Sequence, residues 1–554
     1  MQAEEEDIDL SDHLSLAKEG DESLEQGDYQ IALGLYMLAM QAAPQETAYR
    51  LKFIVAAKKC EIHQFNENIF SSLLACLQDE QVDCTKVQRL WATQLAFIDP
   101  FRSFLTYDKE NGFSFDEPAF DRAKNLDSLN IPYFTLGLKK VMVYNPEFEY
   151  FLTYLRKTLL LQMDRFTPHV FETMAAAMSH YCLYTEYAFA VSESEQKAID
   201  VLEGARELTV AQALQLACYR PLIEKADAVK DIPLPLDVRY AQIDERRELA
   251  DISKDIPSIT DIDEGVSQKV RAQYEESPYP RWRTLPKPYA ESFAKERMNQ
   301  PGMKILVAGC GTGLEPVQFS LMFPKAEILA IDLSRASMAY ALRKTREFGL
   351  KNINFAHGDI LKLGTLNEKF DIVSSSGVLH HMQDPMQGWR VLVGLLKDDG
   401  LMRIGLYSKT ARKFVVEARK VIQEKGYAPN VESMRRFRQN AKSLLSDSAY
   451  QRVIMSFDYY HLPTIRDLLF HVQEHTYEPR DLKKMLDELD LAFVQFAGIP
   501  VHLQAAYKKS FPRDKIGNDL ENWQVFEKAH PNMFANMFQF WCVRKTALLA
   551  QALP

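Results

Sequence analysis

Short apolar runs of four to six residues, separated by helical stretches, fill the chain from about Met303 onward. This alternation is typical of a parallel β-sheet whose strands are joined by crossover helices. It predicts strands at residues 304–308, 327–331, 353–356, 370–374 and 401–406. Helical spacing resumes after Tyr407 and continues to about Leu489. Two late apolar runs, at 491–496 and 537–543, predict the strands that complete the sheet.

The amino-terminal half shows a different pattern. From about residue 66 to 228 the apolar residues recur at helical spacing, as Phe70, Leu73 and Leu77 do, and strand-like alternation is absent. The segment 171–190 is dense in alanine and aromatic residues, which predicts a helix buried on several sides. The pattern therefore predicts an all-α region.

The first sixty residues predict a helical hairpin. Small and aromatic residues at Gly20, Gly27, Ala32 and Tyr36 fall at the spacing of a tetratricopeptide repeat. The pattern has no second copy, and one repeat cannot bury its own apolar face. We therefore expect the hairpin to pack on the domain that follows.

Composition and charge limit the possible partners and locations. The 554 residues carry a formal net charge of −10, which disfavours nucleic acid and anionic lipid and makes a basic macromolecule the easier partner. No apolar stretch approaches the roughly 18 residues of a membrane-spanning helix, and the amino terminus is acidic. We expect a cytoplasmic protein without membrane insertion. Seven scattered cysteines without a C-x-x-C pair predict neither a disulfide framework nor a structural zinc site.

The turn after the strand at 304–308 is rich in glycine and opens onto a predicted helix. Glycine lets the chain turn sharply and lets a ligand approach the backbone. Asp332 ends the next strand, where a carboxylate accepts hydrogen bonds from both hydroxyls of a ribose. The turn consists of Gly309, Cys310, Gly311, Thr312 and Gly313.

A third landmark follows the next strand. Asp359 is placed to accept a hydrogen bond from an adenine amino group, and Ile360 to pack on the ring. A dinucleotide fingerprint, G-x-G-x-x-G, requires glycine at 314, where this chain has Leu314. The three landmarks therefore indicate a nucleoside cofactor other than a dinucleotide.

The G-x-G-x-G turn, Asp332 and the Gly358-Asp359-Ile360 element resemble the class I S-adenosylmethionine-dependent methyltransferases. The resemblance implies an α/β Rossmann-like domain with a seven-stranded sheet whose last strand is antiparallel, preceded by the all-α, tetratricopeptide-like region. It implies S-adenosylmethionine as the cofactor. It also adds four residues to the cofactor site: Leu333, Ser376, Gly377 and Val378.

A wider resemblance covers the segments 273–282, 467–475 and 526–531 and the segment around Tyr187. These stretches resemble a bacterial group of large methyltransferases with tetratricopeptide-like amino-terminal helices. That group includes the rickettsial outer-membrane-protein lysine methyltransferases. The resemblance implies a lysine-bearing protein substrate, such as an outer-membrane or surface protein.

These features predict six segments. The proline-rich and acidic stretch that begins near Ile232 marks the main boundary. In order, we expect a tetratricopeptide-like hairpin (1–60), an all-α middle for dimerisation or substrate docking (61–230), a linker and cofactor-covering arm (231–291), the S-adenosylmethionine-binding core (292–410), a helical insertion near the acceptor pocket (411–489) and carboxyl-terminal strands that complete the sheet (490–554).

Residues of the arm have two interpretations. In this fold the segment before the first strand can cover the cofactor, with an aromatic ring near the sulfonium and an arginine near the methionine carboxylate. The alternative is a proline-fixed turn packed on the domain. The residues concerned are Tyr274, Tyr279, Arg281 and Trp282.

Methyl transfer is an in-line displacement and requires no metal. His380 and His381 follow the fourth strand and either orient the acceptor and relay its proton, or serve only as structural loop histidines. Tyr459 offers a polar group to an amine. His471 and His475 share a predicted helix, but without an evident third ligand they predict no metal site.

The sequence thus predicts an S-adenosylmethionine-dependent methyltransferase that modifies lysine side chains of a protein. One alternative is a small-molecule acceptor, with the helical half serving dimerisation or regulation. Another is a non-catalytic interaction protein that binds the cofactor without turnover. The acidic charge and the absence of an Asn-Pro-Pro-Tyr-like loop disfavour RNA. The large apolar helical half makes a homodimer an expectation.

Overall fold

A computed structural model describes residues 12–110, 112–262, 302–535 and 537–547, together with residues 275, 278, 281, 282, 284 and 285. The chain divides into two compact units. The first unit comprises 1–246, 431–439 and 454–462, and the second comprises 247–430, 440–453 and 463–554. The predicted helical insertion at 411–489 therefore contributes residues to both units.

The first unit is mainly helical, and the start of its helix Pro146–Leu161 shows a residue suited to that position. Asn145 accepts a hydrogen bond from the N–H of Phe148 at 2.8 Å and Pro146 opens the first turn of its helix, an arrangement that satisfies an otherwise unpaired N–H. Its α-helices up to residue 217 are His13–Gln26, Tyr29–Ala42, Thr47–Ala57, Glu67–Gln78, Gln88–Ala96, Phe101–Phe104, Glu117–Arg122, Pro132–Lys140, Pro146–Leu161, Pro168–Tyr184, Glu193–Gly204 and Val210–Ala217.

The predicted amino-terminal hairpin is present as the helices His13–Gln26 and Tyr29–Ala42. Gly20 lies directly against the ring of Tyr36, and Ala32 is fully buried. The tetratricopeptide assignment itself stays a prediction, since only the helical hairpin is observed.

A short hairpin interrupts the helical region. Strands β1 (Leu105–Asp108) and β2 (Gly112–Phe115) pair antiparallel, with Leu105 opposite Phe115. Each strand has four residues, too few for a period-two pattern to stand out from the surrounding helical spacing.

The second unit contains a seven-stranded sheet, and all seven strands were predicted. The strands are β3 (Lys304–Ala308), β4 (Glu327–Asp332), β5 (Ile353–His357), β6 (Phe370–Ser376), β7 (Leu396–Leu406), β8 (Leu491–Phe496) and β9 (Phe538–Arg544). The order across the sheet is β5-β4-β3-β6-β7-β9-β8, with β9 antiparallel to both of its neighbours. This topology confirms the predicted fold class.

Helices pack against the sheet and bury its central strands. Leu306 of β3 and Val373 of β6 have no exposed surface, as expected for strands covered on both faces. The α-helices of the remaining chain are Leu236–Arg239, Glu245–Asp255, Leu314–Met322, Arg335–Glu347, Pro385–Leu395, Lys409–Glu424, Val431–Leu444, Asp447–Ile454, Leu462–Phe470, Pro479–Glu488, Val501–Ser510 and Leu520–Ala529.

Three helix predictions need correction. Residues 236–255, expected to be part of an irregular linker, are helical, because the acidic residues there alternate with good helix formers such as arginine, leucine and alanine. The helix expected at 171–190 ends at Tyr184, and Glu186 and Tyr187 take left-handed φ angles of 51° and 61°. The helix expected at 467–475 ends at Phe470. Among the described residues, no helix is long and apolar enough to cross a membrane.

Candidate active site

The glycine-rich turn connects β3 to the helix Leu314–Met322 and is held against the end of β4. The N–H groups of Gly309 and Cys310 both donate to the carbonyl of Ile331, at 2.9 and 2.8 Å. Gly309 has a left-handed φ of 84°, and a Cβ there would collide with the side chain of Val378. Only glycine meets both conditions, so the turn can lie close to the end of β6.

Asp332 ends β4 and faces the same turn. Its Oδ2 accepts a hydrogen bond from the N–H of Gly311 at 2.7 Å, and its Oδ1 accepts one from the N–H of Ser334 at 2.9 Å. Desolvation raises the pKa of Asp332 above its usual value, and these two N–H groups offset part of that rise. A carboxylate has about four acceptor positions, so Asp332 keeps capacity for two ribose hydroxyls.

Asp359 follows β5 and begins the short 3₁₀ helix Ile360–Thr365. Its Oδ1 accepts a hydrogen bond from the N–H of Leu361 at 2.9 Å, and the residue is nearly fully buried. Its own N–H donates to Oγ1 of Thr260 at 2.8 Å. Ile360 is buried beside it, so the predicted adenine residues are adjacent and held in place by backbone contacts.

Residues 256–260, here called the strap, run along the end of β5. The N–H of Ile259 donates to the carbonyl of His357 at 2.9 Å. Arg335 donates to Oγ of Ser258 at 2.7 Å and so holds the strap from the neighbouring helix. The strap borders the predicted adenine position. Sequence reasoning missed it, because nearby prolines and acidic residues predicted a linker.

The predicted arm is described in part. Tyr274 and Tyr279 lie outside the described residues, whereas Arg281 and Trp282 lie within them. Nε1 of Trp282 donates to the carbonyl of Thr312, in the glycine-rich turn, at 2.8 Å. Trp282 therefore packs on the turn and contacts its backbone. A cofactor contact by Arg281 stays a prediction.

The end of β6 lies beside the turn. Gly377 has a φ of 77°, and its N–H donates to the carbonyl of Gly405 at 3.2 Å. Oγ of Ser376 lies 3.5 Å from Sδ of Met537. Val378 follows and packs against the glycine-rich turn. The remaining predicted cofactor residues lie in that turn or directly after β4: Cys310, Thr312, Gly313 and Leu333.

The two candidate acceptor-side histidines lie in the turn Leu379–His381, directly after this segment. His380 is fully buried, and its ring packs on Tyr407 with ring centroids 3.9 Å apart. His381 keeps 5% exposure, and its Nδ1 lies 2.8 Å from the carbonyl oxygen of Gln473. Burial lowers the pKa of both histidines well below the usual value, so both are neutral at neutral pH.

His471 joins this group. Its ring stacks on His381, with centroids 3.7 Å apart and planes 24° apart. One side-chain ligand atom from each of His381, Asp467 and His471 lies within 4.8 Å of the others. Because the helix ends at Phe470, His471 does not share a helical face with His475 as predicted, and its ring instead stacks on His381 in the turn after β6.

Tyr459 belongs to the other compact unit. Its hydroxyl donates to the carbonyl of Arg438 at 2.9 Å, and the side chain is buried. These contacts describe a packing role in the first unit. The predicted contribution of Tyr459 to an acceptor site gains no support from them.

Comparison with known proteins gives a family for the sheet-bearing part of the chain. Residues 299–456 match a protein family described as methyltransferase domain. This match contains β3 to β7, the glycine-rich turn, both carboxylates of the predicted cofactor site and His381.

Curated relatives match parts of the chain. An uncharacterised protein from Synechococcus sp. is 31% identical over 175 residues, 29% of this chain and 41% of that protein. A malonyl-acyl-carrier-protein O-methyltransferase from Bacillus cereus is 34% identical over 128 residues, 22% of this chain and 46% of that protein. An uncharacterised protein from Rickettsia prowazekii is 30% identical over 140 residues, 24% of this chain and 56% of that protein. The chain thus spans only about half the length of these relatives.

Solved structures resemble the chain at low identity. PKMT2 from Rickettsia typhi, in complex with AdoHcy, is 16% identical, with 48% of this chain and 55% of that chain covered and a TM-score of 0.36. The YcgJ protein from Bacillus subtilis is 17% identical, with 46% and 97% covered and a TM-score of 0.26. At these TM-scores the likeness says nothing about the acceptor.

The carboxylates and the backbone of the glycine-rich turn fit the cofactor of this family. Asp332 ends β4 and Asp359 follows the neighbouring strand β5, and the glycine-rich turn donates the N–H of Gly311 to Asp332. A nucleoside with two ribose hydroxyls and an exocyclic amine matches these acceptors. The sheet order, this arrangement and the family match together show that the chain carries a class I methyltransferase domain, whose cofactor is S-adenosylmethionine.

Proposed function

We propose that this chain is an S-adenosylmethionine-dependent methyltransferase that modifies lysine side chains of a protein. The observation that supports the activity is the match of residues 299–456 to a methyltransferase domain, within which the glycine-rich turn, Asp332 and Asp359 lie at or just after the ends of neighbouring strands. The lysine acceptor is the finer part of the proposal and depends on further arguments.

The residues of the chain bind and orient the cofactor and the methyl acceptor, and the cofactor provides the electrophilic methyl carbon. When bound, S-adenosylmethionine supplies a methyl group activated by a sulfonium. Asp332 would hold the ribose, Asp359 and Ile360 would hold the adenine, and Trp282 hydrogen-bonds to the backbone of the glycine-rich turn. Positioning the reactants and excluding water are the main demands of an in-line displacement.

Three features support a protein acceptor. The helical first unit has more than 200 residues, and such a surface is larger than a small acceptor needs. The net charge of −10 attracts a lysine-rich chain. The segments 273–282, 467–475 and 526–531 resemble a group that includes protein lysine methyltransferases.

A small or carrier-bound acceptor is the second candidate. The names of two relatives favour it: the malonyl-acyl-carrier-protein O-methyltransferase and a phosphoethanolamine N-methyltransferase from Arabidopsis thaliana, which is 29% identical over 134 residues. In this alternative the helical unit would serve regulation or dimerisation.

Transfer of a labelled methyl group separates these candidates. The full chain is incubated with methyl-labelled S-adenosylmethionine and either a bacterial cell-envelope protein extract or a metabolite fraction filtered free of protein. The proposal predicts labelled protein bands whose label lies on lysine after hydrolysis. Label confined to the metabolite fraction would establish the second candidate. Cofactor binding without any labelled product would leave a non-catalytic cofactor-binding protein.

A further inference from the structure

One residue, Gln473, holds the rings of two histidines through its backbone. Its carbonyl oxygen lies 2.8 Å from Nδ1 of His381. Its N–H donates to Nδ1 of His471 at 3.1 Å. The two rings stack with their centroids 3.7 Å apart.

These two contacts set opposite tautomers on the two rings. A carbonyl oxygen only accepts, so Nδ1 of His381 carries the hydrogen and its Nε2 presents a lone pair. A backbone N–H only donates, so Nδ1 of His471 presents the lone pair and its Nε2 carries the hydrogen. The assignment follows from the chemistry of the partners and requires no observed hydrogens.

The tautomers disfavour a metal site of the usual kind, although the side chains lie at ligand distance. One atom from each of His381, Asp467 and His471 lies within 4.8 Å of the others. A metal there would need a lone pair on Nε2 of both histidines, because neutral imidazole is the usual ligand. His471 presents an N–H at that atom. The group of His381, Asp467 and His471 is therefore better suited to proton transfer than to metal binding.

Burial and the surrounding charges favour the neutral form of His381. Burial and the neighbouring His471 lower its pKa most, and Arg412 and Arg419 add to this effect. Both arginines are paired with Glu474, at 2.5 and 3.1 Å. Among the residues that the structure describes, the titratable and charged groups around His381 include His380, Tyr407, Arg412, Arg419, Asp467, His471 and Glu474.

The other candidate, His380, is unsuited to contact a substrate. It has no exposed surface, whereas His381 keeps 5% exposure. His381 also lies three residues beyond Val378, whose side chain packs against the cofactor turn at Gly309. His381 is therefore the neutral imidazole of this group that keeps some exposure and directly follows the segment packed on the cofactor turn.

We propose that Nε2 of His381 accepts the proton that the acceptor nitrogen must lose before methylation, and that His471 and Gln473 are positioning residues for it. The inference rests on the proposed function, in which the acceptor is an amine. One N–H bond of the acceptor ammonium breaks, an N–H bond forms at Nε2, and one positive charge moves from the substrate to the imidazole. The acceptor thereby gains the lone pair that attacks the methyl carbon.

Desolvation makes this transfer feasible. A lysine ammonium has a reference pKa of about 10.4, far above that of an imidazole. Removal from water destabilises the ammonium and the imidazolium alike, because burial disfavours each charged form. Inside the site, local contacts set the difference between the pKa of the ammonium and that of the imidazolium. Asp467 lies close enough to His381 to stabilise the transient imidazolium.

The variant His381→Asn tests the proposal. Asparagine keeps an N–H for the carbonyl of Gln473 but has no atom at the position of Nε2. The assay follows transfer from labelled S-adenosylmethionine to poly-L-lysine between about pH 7 and about pH 9, with cofactor affinity measured in parallel. We expect kcat of the wild type to be nearly independent of pH. In the variant kcat falls about 10²–10⁴-fold and rises about tenfold per pH unit, since only pre-deprotonated amine reacts.

Further variants separate positioning from folding. His471→Asn keeps an acceptor for the N–H of Gln473 and should retain the wild-type pH profile, whereas His471→Leu should shift toward the profile of His381→Asn. His502→Gln, on an exposed helix face, is the matched control and should change nothing.

Two results would overturn the inference, and a third would overturn the proposed function on which it rests. A His381→Asn profile parallel to that of the wild type would reject His381 as the proton acceptor. Stoichiometric binding of Zn²⁺ or Co²⁺ by the wild type that His471→Asn abolishes would replace the proton site with a metal site. Cofactor binding by the wild type without transfer to any protein or metabolite would instead reject the proposed function.

Discussion

Nη1 of Arg403 lies 2.7 Å from Oε1 of Glu315, and both side chains are nearly buried. Arg403 lies on β7, and Glu315 lies in the first turn of the helix that follows the glycine-rich turn. The same oxygen of Glu315 accepts a hydrogen bond from Oγ of Ser374 on β6 at 2.7 Å. The ion pair therefore ties the cofactor turn to two central strands.

The variant Glu315→Gln should destabilise the fold. It leaves the buried guanidinium of Arg403 without its carboxylate, and breaking one side of a buried ion pair costs about 3–5 kcal/mol. Denaturant unfolding measures this loss. Ser374→Ala removes only one neutral donor and should cost about 1 kcal/mol. A loss below that of Ser374→Ala would show that the pair does not stabilise the turn.

The variant Gly309→Ala should abolish tight cofactor binding. The left-handed φ costs a non-glycine residue about 1–2 kcal/mol, and the new Cβ collides with the side chain of Val378. Calorimetry with S-adenosylmethionine and unfolding curves measure the two effects. Gly364→Ala is the control, since a Cβ there meets nothing within 4 Å. Equal affinities for both variants would contradict the account of the turn.

Stability should fall as pH rises through the range set by Glu527. Burial raises the pKa of Glu527 from 4.5 to about 7, although Oγ of Ser408 donates to its carboxylate. Between these two values the folded state binds a proton that the unfolded state has lost, so the free energy of unfolding decreases with rising pH. The total loss is about 3 kcal/mol, from about 1.4 kcal/mol per pKa unit.

The variant Glu527→Gln should remove this dependence. It keeps an acceptor for Ser408 and never carries a charge, so it should be more stable than the wild type at about pH 8 and similar to it at about pH 4. Denaturant unfolding at both values measures the difference. A constant difference across the range would mean that Glu527 does not titrate as described.

The large sheet was predictable because its strands are buried on both faces and form unbroken apolar runs. β3 and β8 begin and end where the pattern predicted, at 304–308 and 491–496. β7 begins at Leu396 instead of at residue 401, because polar residues at 397–399 interrupt the apolar run. The glycine-rich turn and the carboxylates were predictable because their chemistry depends on local spacing.

Contacts between residues remote in sequence were not predictable. Arg403 and Glu315 lie 88 residues apart, and neither residue type signals the other in one sequence. Gln473 orients two histidines through its backbone N–H and carbonyl groups. Every residue other than proline has both groups, so the residue type at position 473 cannot predict this role. His471 was singled out but assigned to a helical face with His475, because the end of its helix at Phe470 has no glycine or proline to mark it.

The most direct test of the central claim is calorimetric titration of the full chain with S-adenosylmethionine, alongside the variants Asp332→Ala and Asp398→Ala. The account predicts one binding site in the wild type and an affinity about tenfold to a hundredfold weaker in Asp332→Ala, since a charged hydrogen-bond partner is lost. Asp398 is fully exposed, and its variant should bind as the wild type does. No binding by the wild type, or equal affinity in Asp332→Ala, would contradict the assignment of this turn as the cofactor site.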